Sequence, residues 1–420
     1  MDDHLFAGPP PPTARRMVGR RPVVLAGLLG AATLAGCSTR SSEPGSTSTA
    51  GPATTAPAAA DPAPTSNGPE PEDTDSPSSG PLEGWTLEQK VGQLLMVGAD
   101  TSGPQMVSID AVATHHVGNV FIARQTRSGA DSVRGVITAL TDLVGPDATH
   151  DTPLLVATDQ EGGQVQVLGG SGFSDIPSAS EQAIMSTDDL TASARTWGQE
   201  LADVGVTMNL APVADLVDIP DPSSNAPIGR WGREYGQSAT TSQDRAIAFA
   251  RGMEAAGVIP TYKHFPGLGR VTANTDTADG VTDSITTRSG DPAVSVFAEA
   301  ITGGARVIMV SSAIYSAIDS SAPATFSSVV VTDMLRGDLG FTGVVITDDV
   351  SAAVQVDAWA PAERAVQAVK AGCDIVLASA DATMAADMAE ALIAEAQADP
   401  AFAQRVDESA TRVISLKAGS

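Results

Sequence analysis

Residues Tyr262–Gly269 read Tyr-Lys-His-Phe-Pro-Gly-Leu-Gly, which packs a cation, an imidazole, aromatic rings, a proline and two glycines into one short stretch. Just before it, Gly257-Val258-Ile259-Pro260-Thr261 has the character of a short buried strand. Just after it, the polar loop Arg270–Asp279 has neither helical nor strand period. Charged and aromatic groups at the end of a strand, followed by a glycine-punctuated loop, suit a sugar or phosphate site on an α/β scaffold. The strand holds the groups still, and the glycines let backbone approach a ligand.

Outward from this stretch, apolar runs of strand length recur. They fall at Gln93–Gly98, Val117–Ala123, Pro153–Thr158, Val206–Val213, Val258–Lys263, Ala305–Ser311, Gly343–Thr347 and Asp374–Ala378. Helix-like stretches with apolar residues at three- and four-residue spacing lie at Asp188–Val204, Ser242–Ala256, Pro361–Ala371 and Asp381–Ala398. Thr86 and Gln89 form a capping-box pattern that predicts a helix start, and Phe402–Leu416 predicts a closing helix. Several strand runs are continuously apolar, as parallel strands covered on both faces are. The pattern predicts an α/β protein with a single (β/α)8 TIM-type barrel as its catalytic domain. An open doubly wound sheet is the alternative. No G-x-G-x-x-G follows an early strand, which weighs against a dinucleotide fold.

The chain has 420 residues, a formal charge of −26 and a pI near 4.3. So acidic a chain repels phosphate backbones, and nucleic acid is not an expected partner. Two distant cysteines, Cys37 and Cys373, give neither a disulfide framework nor a metal cluster. Arg15, Arg16, Arg20 and Arg21 precede the apolar run Val23–Leu34, which is short for a transmembrane span. That run ends in Leu34-Ala35-Gly36-Cys37, which resembles a bacterial lipobox. Residues 1–37 are therefore expected to be a lipoprotein signal peptide with Cys37 lipidated; an ordinary secretory signal is the alternative. Residues 38–83, rich in Ser, Thr, Pro, Gly and Ala, lack the apolar content for a core and predict a disordered tether. The expected location is outside the cytoplasm, lipid-anchored to the membrane, with the folded domain over 84–420.

In a barrel of this type, chemistry sits at the C-terminal ends of the strands. Polar groups recur there: Asp159-Gln160-Glu161, Asp215, Lys263-His264, Ser311-Ser312 and Asp348-Asp349. Singly, each has a structural reading, such as the N-cap of the next helix for Asp215 or Asp349. As a set they predict a convergent polar pocket. Five histidines, two of them adjacent at His115-His116, do not form a hydrolytic metal cluster. A nucleophile elbow and a Walker loop are both missing from the sequence. Carboxylates beside a Lys/His/Arg clamp suit glycoside hydrolysis, and no metal or cofactor is expected.

Five motifs in order carry a family resemblance: D-Q-E-G-G at 159–163, N-L-A-P-V-A-D at 209–215, R-E-Y-G at 233–236, K-H-F-P-G-L-G at 263–269 and G-V-V-I-T-D-D at 343–349. Over residues 85–420 the chain resembles glycoside hydrolase family 3, in its single-domain β-N-acetylglucosaminidase branch. The resemblance implies a retaining, exo-acting enzyme that removes N-acetylglucosamine from cell-wall, peptidoglycan-derived fragments. It implies Asp348 as the nucleophile and Asp159, Arg233, Lys263 and His264 as substrate-binding residues. Departures stand beside it. The branch carries an Asp-x-His pair whose His is the acid/base; the same spacing here gives Asn274-Thr275-Asp276. Leu268 replaces a His, and Gln164 and Val167 replace two arginines. Asp276 is therefore the candidate acid/base, with Asp279 as a second choice. The alternatives are a β-glucosidase or glycoside phosphorylase on the same barrel, or a lipoprotein that binds sugar without cleaving it.

Overall fold

The computed structural model describes residues 80–419. The signal segment, Cys37 and the tether as far as residue 79 lie outside the described residues. Thr86 starts the first helix, α1 (Leu87–Gln93), as the sequence predicts. Its hydroxyl accepts from Gln89 N, and Gln89 Oε1 accepts from Thr86 N, both at 3.2 Å. This reciprocal cap carries the helix through Gln93, which displaces the first expected strand. That strand, β1, is Leu95–Asp100.

The other strands of the main ladders follow in order: β2 (Asn119–Ala123), β3 (Leu155–Thr158), β4 (Met208–Asn209), β5 (Ile259–Pro260), β6 (Tyr262–Phe265), β7 (Val307–Val310), β8 (Val344–Thr347) and β9 (Val376–Ala378). All pair in parallel, in two sheets. One sheet has the order β9-β1-β2-β3-β4-β5 and the other β8-β7-β6. Helices run between the strands, among them the expected ones at Thr187–Ala202, Ala239–Ala255, Pro361–Ala371 and Ala385–Ala398. Met106–Ala113, Ala130–Thr141 and Pro292–Thr302 are helices that the sequence reading did not name.

The expected α/β alternation is thus present, but the ladder is recorded as two sheets rather than one ring. β5 and β6 belong to one run of chain, interrupted at Thr261. There Thr261 N donates to Ala211 O (2.9 Å) and Ala214 N to Lys263 O (2.7 Å), which continues the pairing irregularly. At the other edge Ile346 bridges to Ile375, with Thr347 N donating to Ile375 O at 3.0 Å. The expected run Val206–Val213 reaches only two residues of regular ladder, because Pro212 has no N–H to donate.

Two apolar clusters form the core. The larger one lies between strands and helices. The smaller gathers side chains from eight strands, including Met96, Phe121, Leu155, Met208, Ile259, Met309, Ile346 and Leu377. Val413 and Leu416, from the closing helix Pro400–Ala418, join that second cluster.

The same helix meets Asp374, just before β9. Asp374 is fully buried. It accepts from Arg336 Nη2 (2.6 Å), Arg412 Nη1 (3.2 Å), Ser409 Oγ (3.0 Å), Val345 N (2.9 Å) and Arg405 Nη2. Neutralising this carboxylate leaves three guanidiniums facing one another in a poorly solvated place. Asp374→Asn is therefore expected to lower the unfolding free energy by about 3–5 kcal/mol, read from urea denaturation.

Candidate active site

Asp159 and Asp348 stand just past the ends of their strands, whereas Lys263 and His264 lie within β6. Asp159 follows β3, and the chain then turns back through a small antiparallel pair, Gln160–Gly162 with Val165–Gln166. Gly162 has φ +106°, and a Cβ there would stand 2.2 Å from Pro177 O, so the turn requires glycine. Asn209 at the end of β4 fixes the turn from the side. Its Oδ1 accepts from Gln160 N (3.0 Å) and its Nδ2 donates to Gln160 O (3.1 Å). Asp159 and Glu161 are thereby held against Lys263 of β6.

The Lys263 ammonium lies 2.6 Å from Asp159 Oδ1 and 2.6 Å from Glu161 Oε1. Arg233 grips Glu161 with both ends of its fork, Nε to Oε2 at 2.9 Å and Nη2 to Oε1 at 2.7 Å. Burial pushes the Glu161 carboxyl up, but Arg233 and Lys263 more than offset it and hold the pKa at about 2. Burial by itself would lower Lys263; Asp159 and Glu161 raise it above the ordinary lysine value. The four groups form a charge-balanced quartet of two carboxylates and two cations.

His264 has a different partner. Its Nδ1 lies 2.7 Å from Asp215 Oδ2. Asp215 Oδ1 accepts from His264 N (3.1 Å) and from Leu268 N (2.6 Å). Asp215 is fully buried and is not a helix cap; it clamps the turn 264–268. With a carboxylate on Nδ1, the second ring nitrogen of His264 is the one left for a ligand.

Asp348 follows β8, and its N donates to Val310 O at 2.9 Å. Burial raises its pKa despite the opposing charges of His264 and Lys263. Its neighbour Asp349 is a structural acid. Asp349 accepts from Ser351 Oγ (2.8 Å), Ala352 N (3.0 Å), Ser379 N (2.8 Å) and Ser379 Oγ (3.1 Å), which ties the turn to the end of β9.

Asp276 lies on the loop after β6. Its N donates to Asn274 Oδ1 at 3.0 Å in an Asx turn. Water reaches Asp276. Even so, the protein around this wall position strips much of its solvation. That desolvation, with the charges of Asp348 and Asp349, raises its pKa to about 6 against the pull of Arg233. Asp279 is exposed further along the loop.

Asp159, Arg233 and Lys263 are joined through direct contacts. His264, Asp348 and Asp276 are linked to them through their electrostatic fields. Sequence reading missed the part played by Glu161, although it stood inside a quoted motif. It also missed Arg270, whose guanidinium spans Asp218 (2.7 Å) and Asp291 (2.9 Å) and pins the loop that leads to Asp276. A carboxylate that serves only to neutralise two cations carries no spacing signal of its own.

A family model for the glycosyl hydrolase family 3 N terminal domain matches residues 86–416. The β-hexosaminidase LpqI of Mycobacterium tuberculosis is 31% identical over 299 residues, covering 69% of this chain and 72% of that protein. A crystal structure of a β-N-acetylhexosaminidase from Beutenbergia cavernae superimposes with a TM-score of 0.78 at 54% identity, covering 79% of this chain and 98% of that one. A family 3 β-N-acetylglucosaminidase from Paenibacillus gives a TM-score of 0.71 at 30% identity, over 79% of this chain and 62% of that one.

The Glu161 geometry has a stability consequence. Its folded pKa of about 2 lies below the ordinary 4.5. Ionised Glu161 therefore stabilises the fold above pH 4.5, and that contribution is lost as pH falls toward 2. The gap corresponds to about 3 kcal/mol. Glu161→Gln should lower the unfolding free energy by about that much at neutral pH. In urea titrations, the variant and parent should converge as the medium is acidified.

Proposed function

The chain belongs to glycosyl hydrolase family 3, and from that premise we propose that it is a retaining, exo-acting β-N-acetylglucosaminidase of cell-wall fragments. It is a glycoside hydrolase of the β-N-acetylhexosaminidase type. The observation that carries the mechanistic reading is the pair Asp348 and Asp276. Burial holds the Asp348 carboxyl above its ordinary pKa; Asp276, though exposed to water, is raised by partial loss of solvation and by the charges of Asp348 and Asp349. One ionised and one protonated carboxyl is the state that glycoside cleavage with retention needs.

In the first half-reaction Asp348 attacks the anomeric carbon of the terminal sugar. The glycosidic bond breaks, and Asp276 gives its proton to the departing oxygen. The sugar is left joined to Asp348 as an ester. In the second, ionised Asp276 takes a proton from water as the water oxygen attacks the same carbon, which releases the sugar and regenerates Asp348. Asp159 accepts from the sugar hydroxyls, while Arg233, Lys263 and His264 donate to them. Charge-assisted bonds of this kind are short and directional and fix the ring for attack. The quartet is already neutral before substrate arrives, so binding costs no new charge separation.

The two parallel sheets are read as arcs of one (β/α)8 barrel. The Ile346–Ile375 bridge, the shared β5–β6 run and the apolar cluster drawn from eight of the nine strands support this. Residues 84–420 form the catalytic domain, 38–83 its tether and 1–37 a lipoprotein signal with Cys37 lipidated. The lipobox-like sequence supports an extracytoplasmic, membrane-anchored enzyme, and that location favours a wall-derived glycan as substrate.

The purified protein should hydrolyse an aryl β-N-acetylglucosaminide faster than the matching β-glucoside, without added phosphate. Asp348→Ala should abolish turnover on both. Asp276→Ala should cut kcat/KM by about a hundredfold or more on a poor leaving group and much less on a good one. A variant that matches the parent on both leaving groups removes Asp276 from the acid role. Failure of the parent on both sugars favours a binding protein.

The pH dependence follows from the same pair. Asp348 must be ionised, and burial, which raises its pKa, moves the acid limb upward. Asp276 must be protonated, which places the basic limb near 6. The kcat/KM profile should be a bell with its optimum on the acid side of neutrality, and Asp276→Ala should erase the basic limb.

A further inference from the structure

The loop that carries Asp276 is braced at both ends. At its start, Asn225 Nδ2 donates to Leu268 O (2.9 Å) and to Val271 O (2.8 Å). Arg270 adds its ion pairs to Asp218 and Asp291. At its far end the partner is Gln355, on the short helical turn Val354–Val356 in the connection that follows Asp348. The Gln355 side chain is 5% exposed. Its amide closes a two-way pair with the backbone of one residue of the loop: Oε1 accepts from Val281 N at 2.8 Å, and Nε2 donates to Val281 O at 3.2 Å. Its backbone N donates to Thr275 O at 3.0 Å, and Val354 N reaches Asp276 O at 3.4 Å. Thr275 itself is buried.

The consequence is geometric. The connection that leaves Asp348 is pinned near its start by Asp349, which binds Ser351, Ala352 and Ser379. A few residues later the same connection holds both sides of Asp276. The separation of the two carboxyls is thus set by one stretch of chain rather than by two independently mobile loops. We infer that Gln355 is a positioning residue that latches the Asp276 loop to the connection following Asp348 and so holds Asp276 over the glycosidic oxygen. This rests on the acid role proposed for Asp276. Gln355 touches no substrate; it acts through the loop backbone.

Gln355 offers a clean dissection, because methionine has nearly the same shape and neither amide bond. The test compares the purified full chain, its Gln355→Met variant and its Asp276→Ala variant. The substrates are 4-nitrophenyl and phenyl β-N-acetylglucosaminides, with good and poor leaving groups. Proton donation matters for the second and little for the first. For Gln355→Met, kcat/KM is expected to fall about tenfold or more on the phenyl glycoside and by no more than about twofold on the nitrophenyl glycoside. The basic limb of its pH profile should move to lower pH, since a released loop carries Asp276 away from the charges of Asp348 and Asp349 that raise its pKa. Loss of folded protein alone would lower both substrates in parallel and leave the limb in place.

A parallel loss, or an unmoved limb with an unchanged substrate ratio, overturns the latch. If Asp276→Ala shows leaving-group dependence and Gln355→Met does not, only the latch fails. If Asp276→Ala shows none, the acid reading fails and takes the latch with it. Should Gln355→Met not fold, Gln355→Leu removes the same two side-chain bonds without adding a charge near Asp276, and the same ratio and limb are read from it.

Discussion

A lysine ammonium that is almost wholly buried has to be neutralised where it lies. Lys263 is such a group, 3% exposed, and it contacts two carboxylates. An unpaired charge at that depth would cost several kcal/mol. Asp159 and Glu161 must therefore stay ionised and stay close, which fixes the turn after β3 against β6. Glu161 in turn needs more positive charge than Lys263 supplies, and Arg233 brings it from the segment after β4. Three separate connections are thus drawn to one point by charge balance. The carboxylates survive burial because each accepts a charge-assisted bond at 2.6–2.7 Å. The polar cluster is costly to assemble, and it specifies one arrangement for that reason.

The next position along the strand repeats the device with a different result. His264 is buried as deeply, but its carboxylate Asp215 also takes two backbone N–H groups. Those bonds make Asp215 part of the backbone of the turn. The imidazole is then oriented by the fold rather than by a mobile side chain. Lys263 and His264 are adjacent in sequence, yet one is held by a charge quartet and the other by a carboxylate built into the chain.

Much of this was legible in the sequence. The parallel strands, the capping box at Thr86 and the gathering of Asp159, Lys263, His264 and Asp348 at strand ends follow from apolar runs and from what interrupts them. The boundary at Gln93 was misplaced because a short capped helix and a buried strand carry the same apolar residues. The helices at Met106–Ala113 and Ala130–Thr141 went unnamed; in the second, the apolar face consists of only four buried residues, Val133, Val136, Ile137 and Leu140. Glu161, Asp215 and Gln355 were opaque for a common reason. Each acts on a partner between 49 and 74 residues away in sequence, and no local period marks such a pairing. Asp215 was visible as an acid after a strand, but its role depended on a turn whose shape the sequence did not reveal.

The aspartate at position 276 makes physical sense in place of a histidine. Any proton-binding group near Asp348 gains proton affinity while Asp348 is ionised and loses it once Asp348 is an ester. In the proposed cycle an acid is needed in the first state and a base in the second, so the sign of the effect is right for either residue. The starting points differ. Histidine begins near the working pH, and burial pulls it down; an aspartate begins about two units too low, and burial pushes it up. An aspartate therefore works only where desolvation and neighbouring negative charge act together. Position 276 has both, with Asp348 and Asp349 as the charges. Arg233 opposes them, and its bidentate hold on Glu161 limits that opposition by spending its charge elsewhere. The quartet proposed to bind the sugar and the pair proposed to cleave it are in this way a single electrostatic arrangement.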